Sequence, residues 1–508
     1  MTMYPERASL GGLEMMEIFK LVSYSATPEQ WKEWLRVPLE HTAARGNLDL
    51  FNKLLGAGAN GSAGWRGCEG RTLLDAAIVG GNMQVVSTLL LAGAQPDVNV
   101  VSHSSKTSTL FKATVLGHEA VARRLVIAGA NVNFVDPVLK RCVLNEASQR
   151  GQEHLVAELL IGGADPNRRN SNGASSLHLA AEEGFDGIVS TLLLKGADKD
   201  AVDAEGKTPL MRACLADEGR LSVVKTLLTA GIDASVRDLN GYSALEFAAK
   251  KGHGDVIGAI VGHGTDVNAS DDSGFTALHT AARYDQAGAI DALIEAGADI
   301  EPKMHDGFTP LANAAYHSNG KAMLALLQHG TNVDVRDNDG ETPLHNACLG
   351  RSEGLHTAVD LLLRWGSDET ALNNDGESPA ELLNAESQGV ENGDDMKKPA
   401  TQDEIERTRL LLSGAPADRT WRRRGWLVIL HSRAEKAKLV SSCDSDGAAG
   451  AGLDNGRSCK EARKDTAGRQ SNGADERGGA GGDTCWSDVA LLTGLEMEGV
   501  FRMVVGFL

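Results

Sequence analysis

One short pattern of hydrophobic and polar residues recurs along most of the chain. A pair of large aliphatic residues is followed by two residues and then a glycine, as in Leu192-Leu193 before Gly196. Ten such glycines lie 33 to 36 residues apart: Gly58, Gly93, Gly129, Gly163, Gly196, Gly231, Gly264, Gly297, Gly330 and Gly366. A period near 33 residues without a long structureless gap predicts a solenoid of stacked small units, which presents an extended surface.

Each unit reads as a turn, a first helix and a second helix. In the clearest copy, Thr342 can cap the first helix, because the first backbone N–H groups of a helix lack partners. Pro343 then takes the first helical position, where its missing N–H costs nothing. Small pairs such as Ala281-Ala282 let neighbouring first helices approach closely, and the closing glycine ends the second helix in a left-handed conformation.

These features resemble ankyrin repeats, most clearly in GKTPLMRA, GFTALHTAARYDQAGAIDALIEAGADI and GETPLHNA. The resemblance covers about residues 38–415 and implies an all-α ankyrin-repeat solenoid of about eleven helix-turn-helix units with short hairpin turns. The eleventh copy begins at Gly376 and closes at Gly414. It carries an acidic and polar insertion, about residues 385–402, that we interpret as a loop.

Segments outside the repeats have other patterns. A solenoid needs caps over its terminal apolar faces, and a capping box at Thr27 with Trp31, Trp34 and Leu35 on one helix face predicts such a cap. The expected organisation is a flexible N-terminus (1–12), a helical N-terminal cap (13–37), a basic Trp/Arg helix as C-terminal cap (416–440), a disordered Gly/Ser/Asp-rich linker (441–486) and an amphipathic C-terminal helix (487–508). In that last segment Val500, Phe501, Val504, Val505 and Leu508 fall at helical spacing.

Composition narrows the possible functions. The formal charge is −19, which argues against gripping nucleic acid, because phosphate binding needs a basic surface. The seven cysteines are scattered without metal-ligand spacing, so we expect a reducing compartment, the cytosol or the nucleus. Cys214 and Cys348 stand in the small pair and are interpreted as buried alanine substitutes. No segment reaches the ~18 apolar residues of a membrane span.

Two apparent motifs have structural explanations. The glycines from Gly56 to Gly61 match a dinucleotide fingerprint, but they follow a second helix rather than a strand. His178, His279 and His345 occupy one register of separate units, and because even adjacent units are displaced by about 10 Å, the three are too far apart for shared metal coordination. We expect them to hydrogen-bond within the turns. No catalytic, cofactor-binding or metal-ligating residue is predicted, and the chain is not expected to be an enzyme.

The resemblance implies that a partner binds the concave face, which turn tips and first helices build. Two variable places in each unit point there: the residue after the turn glycine and the pair after the small pair. In the seventh to ninth units these places hold aromatic and basic residues, predicting a strip for an acidic partner segment. The predicted contact residues are Tyr242, Lys250, Lys251, Phe275, Arg283, Tyr284, Met304, His305, Phe308, Tyr316 and His317. The alternative is that the rings pack on their own hairpins.

The predicted function is therefore a monomeric, non-catalytic scaffold that binds a protein partner through the groove of the array. An alternative is a peripheral membrane or phosphate-binding adaptor, whose anionic contacts are Trp421, Arg422, Arg423, Arg424 and Trp426. A further alternative is an adaptor that joins a larger enzyme complex through its C-terminal helices.

Overall fold

A computed structural model describes residues 36–56, 72–91, 98–99, 101, 106–137, 140–384 and 398–414. The described helices form eleven consecutive pairs, here called units 1 to 11, in which odd-numbered helices come first. Their bounds are α1 (Arg36–Arg45), α2 (Leu48–Gly56), α3 (Leu73–Val79), α4 (Met83–Leu91), α5 (Thr109–Val115), α6 (Glu119–Ile127), α7 (Val143–Gln149), α8 (Glu153–Ile161), α9 (Ser176–Glu183), α10 (Asp186–Leu194), α11 (Pro209–Leu215), α12 (Leu221–Thr229), α13 (Ala244–Lys251), α14 (Gly254–Gly262), α15 (Ala277–Arg283), α16 (Ala287–Glu295), α17 (Pro310–Tyr316), α18 (Gly320–Gln328), α19 (Pro343–Gly350), α20 (Leu355–Arg364), α21 (Pro379–Asn384) and α22 (402–414).

The pairs stack in chain order into one array. First helices pack on first helices and second helices on second helices, so a continuous apolar core runs through the stack. Ala281 and Ala282 are fully buried where α15 meets its neighbours, as the small pair predicts. Among the described residues there is no β-strand, only isolated bridges such as Arg237–Ser243 at the hairpins. The prediction of an all-α solenoid of about eleven units is confirmed.

Buried histidines join three of the first helices to the next unit. The Nδ1 atom of His178 lies 3.2 Å from the Ser175 backbone nitrogen, and its Nε2 atom lies 3.0 Å from the Lys207 carbonyl oxygen. Because that backbone N–H must donate and that carbonyl must accept, the ring is neutral with its proton on Nε2. His279 and His345 repeat both contacts. The predicted hydrogen bonding of the three histidines is confirmed.

An aspartate that accepts two backbone N–H groups recurs at the hairpin tips. In unit 6 the Oδ1 atom of Asp203 accepts the backbone N–H groups of residues 205 and 207, both at 2.9 Å. Asp238, Asp271 and Asp337 accept in the same way in their own hairpins. Each carboxylate accepts backbone N–H groups that have no partner in a β-sheet, and this stabilises the turn. Met304 breaks the series, and Asp306 caps Phe308 N–H there instead.

The outer edge of the N-terminal half carries a ladder of asparagines. Asn99, Asn133 and Asn167 each donate to the carbonyl of the next unit's closing glycine, at 3.1 to 3.2 Å. Each also accepts a backbone N–H from that unit, as Asn167 does from residue 198 at 2.7 Å. These paired bonds fix the register between neighbouring second helices.

The last unit is tied back to the one before it. Residues 398–400 pair with residues 351–353 through two backbone hydrogen bonds and an isolated bridge between Ser352 and Pro399. Glu404 also accepts the Gly354 N–H at 3.2 Å. The far end of the insertion is therefore anchored on unit 10, while residues 385–397 lie outside the described residues.

Several sequence predictions fall outside the described part of the chain. The N-terminal cap (13–37) does so except for its last two residues, as do all segments from residue 415 onward, including Trp421 and the arginines beside it. Cys214 and Cys348 are fully buried, and their predicted role as alanine substitutes is confirmed. Across the described ranges, no helix has the length and apolarity needed to span a bilayer.

Candidate partner-binding groove

The predicted contact residues gather where the first helices of units 7 to 9 end. Lys250 and Lys251 close α13, Arg283 closes α15 with Tyr284 as its C-terminal cap, and Tyr316 closes α17. Because α13, α15 and α17 pack side by side, these ends lie next to one another. Their side chains are neither buried nor fully exposed. The fold thus brings the second variable place of three units into one partly exposed row.

Lys250 joins two tyrosines into a single cluster. Its Nζ atom lies 4.5 Å from the ring centroid of Tyr284 and 5.6 Å from that of Tyr242. Burial raises the pKa of Tyr242, to which a hydrogen bond with the Tyr284 side chain also contributes. A lysine held between aromatic faces keeps its charge in a fixed place, because the ring quadrupoles attract the ammonium group. This cluster spans units 7 and 8.

The other basic residues differ in how far their charge is balanced. Lys251 Nζ lies 2.7 Å from Asp217, a highly exposed carboxylate of unit 6. The backbone carbonyl of Arg283 accepts a hydrogen bond from Asn319 Nδ2 at 2.7 Å, which fixes the end of α15 against unit 9. Lys251 is therefore paired with a carboxylate, whereas the Lys250 ammonium group lies between two aromatic rings.

Phe275 does not belong to the open surface. Only 8 % of it is exposed, and its ring stacks on His279 with the centroids 5.4 Å apart. It packs on its own hairpin, which was the alternative for all the rings. Phe308 is half-buried, and its carbonyl oxygen accepts a hydrogen bond from Nε2 of the same histidine. At the hairpin tip, Met304 is half-buried and His305 is exposed. The first variable place thus offers less surface than the spacing alone predicts.

Unit 9 supplies the C-terminal edge of the row. The rings of Tyr316 and His317 meet edge to face with their centroids 5.3 Å apart. Both residues are half-buried. An aromatic pair of this kind presents large, rigid area at little rotamer cost, which suits a contact surface.

An acidic cluster follows in unit 10 that the sequence analysis did not single out. Asn346 Nδ2 lies 3.2 Å from Asp337 Oδ2 and 3.2 Å from Glu341 Oε2, so one fully buried amide serves two carboxylates. Burial and the charge of Asp337 raise the pKa of Glu341 to about 7. One sequence feature indicates this cluster: Glu341 follows the turn glycine, at the position where units 7 to 9 have aromatic residues.

Replacing Glu341 with glutamine should stabilise the array above pH 7. A raised carboxyl pKa means that folding favours the protonated form, so stability present at low pH is lost as pH rises through about 7. Glu341→Gln keeps the hydrogen bond and removes the charge. After allowance for solvent at this half-exposed carboxyl, we expect a gain of about 1 kcal/mol at pH 8 and little gain at pH 4. Urea denaturation at both values measures the difference, and an equal effect at both would contradict it.

The comparisons identify the family. The family described as "Ankyrin repeats (3 copies)" matches residues 39–136, 144–238, 215–304 and 299–373, well over half of the chain. The chain is an ankyrin-repeat protein. Among solved structures, the array is similar to the human ASB11 ankyrin repeat domain, with 27% identity over 44% of this chain and 98% of that domain and a TM-score of 0.39. No curated protein matches the sequence.

Membership in the family carries a general function. Ankyrin repeats generally mediate protein–protein interaction, and ankyrin-repeat proteins are typically non-catalytic scaffolds. Within the residues that the structure describes, no three histidine, cysteine, aspartate or glutamate side chains gather into a metal-binding group. The described cysteines, Cys142, Cys214 and Cys348, are free and buried, and burial raises the pKa of each thiol.

Proposed function

We propose that this ankyrin-repeat protein is a scaffold that binds a segment of a protein partner in its concave groove, centred on units 7 to 9. The observation that carries the proposal is the Tyr242–Lys250–Tyr284 cluster, in which a lysine lies 4.5 and 5.6 Å from two ring centroids. Tyrosine and arginine dominate the energetics of interfaces because they bury large area with few rotatable bonds. The cluster, Arg283 and Tyr316 offer both residue types in one row.

The partner segment should carry acidic residues. Lys250 places a positive charge between two rings of this row in a chain whose formal charge is −19, which supports a partner of opposite charge. A fixed positive charge attracts a carboxylate and repels basic segments, which contributes to specificity as well as to association rate. The three cysteines in the described part of the chain are free, which supports an intracellular, reducing location as part of the proposal.

Removing the cluster should abolish partner binding and leave the fold intact. Lys250→Ala plus Tyr284→Ala deletes the charge and one ring, both only partly buried. We expect capture of the partner to fall by at least about tenfold, because hot-spot residues each cost more than 1 kcal/mol when truncated. Affinity capture with the full chain, quantified by mass spectrometry, measures this loss. Raising the salt concentration should weaken capture by the unaltered chain.

The matched control lies on the outer face. Lys225→Ala plus Thr229→Ala removes a lysine and a neighbouring side chain from α12, where both are exposed. This variant should capture the same proteins as the unaltered chain. Equal capture by the groove variant, with circular dichroism showing a folded array, would reject the groove as the binding site. Loss of folding in the groove variant would instead mark these side chains as structural.

A further inference from the structure

Four large aliphatic side chains stand exposed at one register of consecutive second helices. Each is the last residue of its helix, in units 2, 3, 4 and 5. Their exposed fractions are 80% for Leu91, 68% for Ile127, 75% for Ile161 and 86% for Leu194. A single exposed leucine needs no explanation, but a row on adjacent units forms an extended apolar surface. We call these four residues the aliphatic row.

The aliphatic row does not continue into units 6 to 9. At the same register, units 6 to 9 hold small or polar residues, all exposed: Thr229, Gly262, Glu295 and Gln328. This exposed position of the repeat therefore accepts polar residues. The aliphatic side chains of units 2 to 5 are not required by the core, since the polar residues serve the later units equally well.

The helix ends that carry the row are held at fixed spacing. The asparagine ladder bonds the closing-glycine carbonyls that lie two residues beyond Ile127, Ile161 and Leu194. Packed helices are separated by about 8–10 Å, so four units extend over about 30 Å. The row is thus a preformed linear surface rather than a set of mobile side chains.

A helix laid along the row matches its spacing. Seven residues of α-helix rise about 10 Å, close to the separation of the units, so one apolar stripe meets every unit in turn. The C-terminal part of residues 489–508 has such a stripe in Val500, Phe501, Val504, Val505 and Leu508, which as a helix rises about 12 Å and can meet two neighbouring units. Twenty helical residues extend over about 30 Å, the length of the row.

The tether between the array and this segment is long enough. The described array ends at residue 414, and more than 70 residues separate it from residue 489. Unit 5, where the row ends, lies six units before unit 11, about 60 Å away at the spacing of packed helices. A random-coil chain of about 70 residues has a root-mean-square span of about 45 Å and a fully extended one exceeds about 200 Å, so the connection can reach the row. Intramolecular attachment of this kind raises the effective concentration of the segment near the row.

We propose that residues 489–508 of this chain dock as an amphipathic helix on the aliphatic row of units 2 to 5. The docked segment covers the exposed aliphatic side chains on the outer edge of the array and leaves the concave groove of units 7 to 9 open. This proposal is independent of the groove function, because it concerns another face and another set of units.

Hydrogen exchange of the full chain tests the proposal. In the unaltered protein, backbone amides of residues 489–508 should exchange slowly, because a docked helix protects them. Ile127→Lys plus Ile161→Lys interrupts the row at two exposed positions that the fold does not need. In this variant we expect exchange in residues 489–508 to accelerate by about tenfold or more, with no change in the core helices.

The control is Thr229→Lys plus Gln328→Lys, which adds the same charges at the same register outside the row. It should leave the tail protected. Fast exchange of residues 489–508 in the unaltered chain would overturn the proposal, and so would protection that survives the Ile127→Lys plus Ile161→Lys change. A dimer in sedimentation velocity that this change dissociates, with the tail exchanging fast throughout, would overturn it in favour of a second copy.

Discussion

Acidification from pH 7 to pH 4.5 should destabilise the array steeply through its buried histidines. Burial lowers the pKa of His178 and His279 to about 4 and lowers that of His345 in the same direction. In the unfolded chain these rings titrate near 6.5. A depressed pKa contributes stability that is present above the unfolded value and is lost as pH falls toward the folded one.

The geometry explains the penalty. Protonating Nδ1 of His279 would place an N–H against the backbone N–H of Thr276, 3.2 Å away, and would break the bond that starts α15. A shift of this size corresponds to about 3 kcal/mol for each of His178 and His279. Because the histidines join consecutive units, their protonation weakens the interfaces on which a stacked array depends.

Urea denaturation between pH 7 and pH 4.5, followed by circular dichroism, measures the decline. His279→Gln removes one titrating ring, so this variant should be less stable than the parent at pH 7 and should lose less stability on acidification. The two curves should converge toward low pH. His305→Gln, on the exposed hairpin tip, is the matched control. Parallel curves for the parent and His279→Gln would refute the role of this ring.

Replacing Gly350 with alanine should cost about 3 kcal/mol of stability. An added Cβ would lie 1.8 Å from the Tyr316 carbonyl oxygen and 2.6 Å from its carbon, and backbone atoms cannot move aside as a flexible side chain can. Gly80 stands at the same register of unit 2 and approaches the Ala44 carbonyl oxygen to 2.0 Å at the equivalent Cβ position. Thermal denaturation measures the effect as a lowered midpoint.

Gly288→Ala is the control, because no atom lies within 4 Å of the added Cβ in α16. Alanine is the better helix former, so this variant should be stabilised by about 0.5–1 kcal/mol. Gly350→Ala has a second consequence at the groove, since α17 must shift and Tyr316 and His317 lie at its end. Partner capture should therefore fall with Gly350→Ala, and an unchanged midpoint would contradict the proposed clash.

Repetition made the fold predictable. A closing glycine, a small pair and a capped first helix recur at the same positions of successive units, so what holds for one unit holds for the others. The burial of Ala281 and Ala282 and the contacts of His279 followed from position alone. Even the eleventh unit is recognisable in the sequence, because Gly376 and Gly414 mark its beginning and its end despite the insertion between them.

The groove was less predictable, because spacing locates a residue without saying which way its ring turns. Phe275 and Tyr242 share a register, yet Phe275 stacks on His279. The equivalent place in unit 7 is Glu246, and Tyr242 instead packs on Phe247 and beside Lys250. The acidic cluster depends on Asn346 reaching two carboxylates at once, a contact between positions five and nine residues apart. Such contacts depend on the pairing of particular side chains and not on the period.

Because residues 398–400 are anchored on unit 10, insertions and deletions in the segment before them should be tolerated. Both sides of residues 385–397 are fixed, by α21 before and by the bridge to Ser352 after, so chain added between them leaves the phase of the stack intact. Insertions and deletions at this site escape the selection that preserves the repeat length elsewhere. Lineages descended from a common ancestor should therefore differ most in length here.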